Sequence, residues 1–119
     1  MKGSPPEDKL ALYEKVVATL AGVERKGATN PYTSLNGNMF SRLDPSGRLS
    51  LRLPPDEREK FLKKYKTTLF ESYGVVQKEY VLVPDSLLKS TAELKKCFEL
   101  SLRYVRTLKA KPTKKTALT

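Results

Sequence analysis

Leu49, Leu51 and Leu53 alternate with Arg48, Ser50 and Arg52, the period of two that marks a strand with one buried face. Two turn signals precede it. Asn36-Gly37 is the dipeptide favoured in a two-residue type I′ hairpin, where both residues need positive φ. Asp44-Pro45-Ser46-Gly47 supplies an acceptor at the first position, a preset φ at the second and a left-handed glycine at the last. Residues 31–55 therefore read as a three-stranded antiparallel meander, the part of the chain around which the rest is organised.

The register of the second hairpin follows from what each alternative would bury. A four-residue loop pairs Leu43 with Arg48 and puts Arg42 on the leucine face. A type I turn with Gly47 as a left-handed bulge residue pairs Leu43 with Leu49 and Ser41 with Leu51. A slip of one residue would bury an arginine, so the bulged register is expected. It gathers Met39, Leu43, Leu49, Leu51 and Leu53 on one face and Phe40, Arg42, Arg48, Ser50 and Arg52 on the other.

Helical spacing flanks the meander. Ser4-Pro5-Pro6-Glu7 has the form of a helix start, with Ser4 as N-cap and Pro5 at the first position. Leu10, Tyr13, Val16, Val17 and Leu20 follow as its apolar stripe, and Gly22 is the expected stop. Pro54-Pro55-Asp56-Glu57 opens a second helix with acids at its positive end; Lys60, Lys63, Lys64 and Lys66 load its other half and read as a solvated face that complements the helix dipole, in preference to a binding stripe. Leu69 and Phe70 are expected to plug the core before Tyr73-Gly74 turns the chain. Residues 75–83 are rich in β-branched side chains and read as a longer strand. Ser90 with Glu93 forms a capping box for a last helix, whose stripe is Leu94, Cys97, Phe98, Ser101, Tyr104, Val105 and Leu108. The expected fold is α+β: a curved antiparallel sheet of meander plus later strand, with N-terminal, middle and C-terminal helices packed on it.

Composition narrows the function. At 119 residues the chain is one domain over 1–108, followed by a disordered basic tail over 109–119. No apolar run approaches the roughly 20 residues needed to span a bilayer, so no membrane partner is expected. One cysteine excludes a disulfide framework and points to a reducing, cytoplasmic setting. The chain has no histidine, which removes the commonest general base and metal ligand. Cys97 lies on an apolar helical stripe, where cysteine usually acts as a small hydrophobe. No cofactor, metal site or enzymatic activity is expected. The net charge is +10, and residues 91–119 carry +6 of it, with eight basic residues against two acidic ones. That asymmetry suggests a polyanionic partner, with nucleic acid first; the plain alternative is charge that serves solubility.

Two candidate binding elements result. Phe40, Arg42, Arg48 and Arg52 share the outer sheet face, where guanidinium forks match phosphate and an aromatic ring could stack on a base. Against this stands a helix over Phe40, with the arginines as edge charges that block sheet-to-sheet pairing. The tail, with Lys109, Lys111, Lys114 and Lys115, is a second candidate, non-specific and salt-sensitive. The competing functional class is a protein-interaction domain, monomeric or weakly homodimeric through a sheet edge. A ligand pocket between sheet and helices ranks third.

Three blocks of the chain resemble the TfoX N-terminal domain family, of the TfoX/Sxy competence regulators. Asn36-Gly37-Asn38-Met39-Phe40 resembles the family's hairpin with its Gly-x-Met-Phe. Leu51-Arg52-Leu53-Pro54-Pro55-Asp56-Glu57-Arg58 resembles its strand-to-helix junction. Glu79-Tyr80-Val81-Leu82-Val83-Pro84-Asp85-Ser86-Leu87-Leu88, with a helix ending Tyr104-Val105, resembles its closing strand and helix. The resemblance implies an α+β fold and a non-catalytic role in regulating competence or transcription in bacteria, with nucleic acid or a transcription-associated protein as partner. The family's Met-Phe-Gly-Gly block is replaced here by Gly27-Ala28-Thr29-Asn30-Pro31-Tyr32, and the second domain of the full-length regulators is absent from the chain.

Overall fold

Both turns of the meander take the expected form. A computed structural model describes residues 5–27, 31–72 and 74–108. Asn36 and Gly37 have φ of 54° and 80° and join β1 (Tyr32–Leu35) to β2 (Asn38–Leu43). Gly47, at φ 90°, closes the loop to β3 (Leu49–Arg52), and the register is Leu43 with Leu49 and Ser41 with Leu51. Asp44 organises that loop: its Oδ1 accepts from the backbone N–H of Ser46 at 3.0 Å and of Arg48 at 2.9 Å. Gly47 is also required sterically, since a Cβ there would stand 3.0 Å from Lys9 Cγ and 3.2 Å from Pro6 Cδ.

The complete sheet has five antiparallel strands in the order β1-β2-β3-β5-β4, with β4 at Leu69–Ser72 and β5 at Val75–Val83. Its inner face is covered by α1 (Glu7–Val17), α3 (Asp85–Leu88) and α4 (Thr91–Arg106); α2 (Pro55–Lys64) follows β3. Tyr13, Val16 and Val17 of α1 and Leu94, Phe98 and Val105 of α4 meet Leu43, Leu49, Leu51, Val81 and Val83 of the sheet in one core. Inside that core the Tyr13 hydroxyl bonds Ser41 Oγ at 2.6 Å, and Ser41 bonds Thr33 Oγ1 at 2.5 Å. Burial pushes the Tyr13 phenol up to about 12 despite these bonds. Among the described residues no helix is long and apolar enough to cross a membrane.

The main correction concerns Phe40. Expected on the outer face, it is fully buried in the core. Thr33 pairs with Ser41 but Ser34 pairs with Met39, so Phe40 is an extra residue that inverts the alternation of β2. Met39 is thereby turned out of the core and left half-exposed. The energetics favour this: burying a phenylalanine gains about 1.5–3 kcal/mol, whereas a lost ladder bond costs about 0.5–1.5 kcal/mol net.

Other expectations shift at element ends. Leu69 and Phe70 belong to a fourth strand rather than a loose plug, because they pair with the following strand across Gly74 (φ 75°); Tyr73 lies outside the described residues. The first helix begins at Glu7 after Pro6, two residues later than expected, and the proposed Ser4 cap lies outside the described residues. That helix ends at Val17, short of Gly22, which takes φ 76° beyond two further turns. Ser90 does occupy the N-cap of α4, but its side chain makes no capping bond. Glu93, the other half of that box, turns instead toward Tyr65.

Candidate partner-binding surface

Of the four candidate binding residues assigned to the outer sheet face, three are committed to internal contacts. Phe40 is in the core, its ring against Phe98. Arg48 donates to Asp44 Oδ2 through Nε at 3.0 Å and pairs with the same carboxylate through Nη2 at 2.8 Å. Burial opposes the charge on Asp44, but the bonds from Arg48 and Ser46 prevail and hold its carboxyl below the ordinary value. Arg52 is bound to Glu79 at 2.6 Å, and its guanidinium lies about 6 Å from the rings of Tyr80 and Tyr104. Arg42 is half-exposed; its carbonyl accepts from Ser50 Oγ at 3.3 Å, but its guanidinium makes no hydrogen bond or ion pair with another described residue.

Part of the same face is capped from within the chain. The β4–β5 pairing jumps between Leu69, opposite Val81, and Phe70, opposite Gln77. Three residues of β5 are therefore unmatched in this pairing, and beyond them β4 and the start of β5 continue as a two-stranded arm. Arg48 reaches this arm across the intervening β5, donating to the Glu71 carbonyl at 3.1 Å with its guanidinium 4.7 Å from the Phe70 ring centroid. Phe70 is consequently buried, yet stands apart from the main core. At the tip, Val75 and Val76 remain 58% and 46% exposed. The tail lysines Lys109, Lys111, Lys114 and Lys115 lie outside the described residues.

Further positive charge lines a concavity on the helical side, where the sequence favoured a solvated lysine face over a binding stripe. A groove of about 290 Å³ separates α2 from α4. Its floor is Leu53, Phe61 and Cys97, all buried, with Leu100 half-buried beside them. Along its walls Glu57, Lys60 and Lys64 recur at i, i+3 and i+7 on α2, as Glu93, Lys96 and Leu100 do on α4. These spacings keep each trio on one helical stripe. One end is bridged: the Tyr65 hydroxyl donates to Glu93 Oε2 at 2.5 Å, and Lys64 Nζ lies 3.5 Å from the same oxygen.

Chemistry at this site is muted. The bond from Tyr65 and the neighbouring Lys64 hold the Glu93 carboxyl below its ordinary range. Burial and that same hydrogen bond raise the Tyr65 phenol. Burial likewise raises the Cys97 thiol, which favours the unreactive protonated form. The ammonium groups of Lys60 and Lys96 make no hydrogen bond or close ion pair with another described residue, although the Lys96 charge also helps to lower Glu93. With three lysines against two glutamates over an apolar floor, the groove keeps a small positive excess that suits an anionic partner. The signal for it was present in the lysine spacing of α2, but its significance depends on α4 lying alongside. No protein-family model matches the chain, and no curated protein matches it either.

Proposed function

We propose that this chain is a non-catalytic regulatory or adaptor domain that binds an anionic macromolecule, nucleic acid or a protein associated with it. The observation that carries the reading is the set of lysines, Lys60 and Lys64 on α2 and Lys96 on α4, that line the α2–α4 groove. Lys63, Lys95 and Arg103 add further charge to the same two helices, and the chain as a whole carries +10. The absence of histidine from the sequence and the raised thiol of Cys97 favour a binding role over catalysis. The order of elements suits the regulatory family that the chain resembles. Arg42 and the tail lysines supplement the helical site under this reading; they do not form it.

The test is fluorescence anisotropy at low salt with three labelled probes: duplex DNA, single-stranded RNA and polyglutamate. At least one should bind, with log affinity falling linearly as log salt rises. Joint reversal of Lys60, Lys64 and Lys96 to Glu should weaken binding by about tenfold or more, equivalent to about 1.4 kcal/mol. Arg42→Ala should have a smaller effect. If all three probes fail to bind, the reading is lost; if Arg42→Ala has the larger effect, the site moves back to the sheet.

A further inference from the structure

We infer that the α2–α4 groove is a docking site for an acidic amphipathic helix on a partner protein. This rests on the reading above and names the class of partner. Two helices that present matching i, i+3, i+7 stripes across a gap leave a trough into which a third helix can lay its apolar side. The buried floor of Leu53, Phe61 and Cys97, with Leu100 at its edge, supplies the apolar contact. Lys60 and Lys96 stand on opposite rims, where they would meet acids flanking the apolar stripe of the incoming helix. Lys64 and Lys96 both act on Glu93, and Glu57 shares a wall with Lys60, so the three lysines leave the rim a net charge of +1.

The same features disfavour nucleic acid at this position. Stacking on a base needs an open aromatic face. Phe61 is buried and packs against Tyr65 with ring centroids 4.6 Å apart. The Tyr65 ring in turn carries the Lys64 ammonium 5.3 Å from its centroid. At about 290 Å³ the groove lies at the bottom of the roughly 300–1,000 Å³ range of pockets that enclose a small ligand. It fits anchoring side chains better than a whole ligand.

The experiment uses the full chain and a labelled helix-forming peptide of roughly four turns. The peptide carries Leu or Phe at i, i+3, i+4 and i+7 and Glu or Asp elsewhere. Its control has the same composition, shuffled to remove the apolar stripe. The amphipathic peptide should bind about tenfold or more tightly than the control, and amide shifts on binding should map to Lys60, Lys64, Lys96 and Leu100. Leu100→Glu should abolish that preference, and Lys60→Glu with Lys96→Glu should weaken both peptides. Leu100→Ala, milder for the fold, should reduce the preference severalfold, with circular dichroism verifying that each variant is folded. Equal binding of the two peptides, or a preference undiminished in folded Leu100→Ala, overturns the inference. In that event a salt-sensitive affinity for both peptides or for duplex DNA still leaves the anionic-partner reading standing. Loss of binding to every probe removes both.

Discussion

The Phe40 ring meets Phe98 edge-on, with centroids 6.4 Å apart and planes at 76°, and this contact ties the bulge of β2 to the middle of α4. Tyr13 approaches Phe98 from α1, with centroids 6.3 Å apart, so one ring on the last helix joins the sheet to the first helix. Arrangements of this kind add about 0.5–1.5 kcal/mol beyond the burial of their area. Phe40→Ala should therefore cost about 3–5 kcal/mol, measurable as a shift in urea midpoint at constant slope. A cost below about 0.5 kcal/mol, the value usual for a surface site, would return Phe40 to the outer face.

Asp44 gives a prediction with a sign in pH. Its carboxyl titrates lower in the folded chain than in the unfolded one, so its stabilisation is complete above the unfolded value, about 3.9. The contribution declines as pH falls through the lower folded value. Asp44→Asn should lower stability at neutral pH by about 1–3 kcal/mol and flatten the acid limb of a stability–pH curve. Parallel acid limbs in the two proteins would show that Asp44 does not drive that transition.

Ser101 predicts a change in the opposite direction. It is fully buried on α4, and its Oγ has no hydrogen-bond partner among the described residues. Replacing it with Ala removes an unsatisfied hydroxyl and adds helix propensity. Ser101→Ala should raise stability by about 0.5–1.5 kcal/mol, read by thermal unfolding. A destabilised variant would mean that the hydroxyl is satisfied in solution.

Where sequence and structure agree, the determinants are local. The Asn36-Gly37 turn, the Gly47 bulge with its leucine register and the start of α2 at Pro55 each depend on residues within one turn of the site. Where they diverge, a distant partner decides. Phe40 leaves its expected face because Phe98 offers it an apolar site, and Glu93 abandons its capping role because Tyr65 lies within reach. β4 was missed because only four residues form it, and pairing with β5 gives them their strand character. The outer-face arginines were recognised as pointing away from the leucines, but their neighbours were not: Glu79 and the β4–β5 arm approach from sequence-distant positions. The groove was the least legible feature, since each wall alone is an ordinary amphipathic helix.

β5 divides its labour along its length. Residues 80–83 join β3 and carry Val81 and Val83 into the core, whereas the strand start at 75–77 is matched only with β4. Substitutions at Val75 and Val76 therefore touch only the exposed hairpin with β4, whereas those at Val81 and Val83 must satisfy the core.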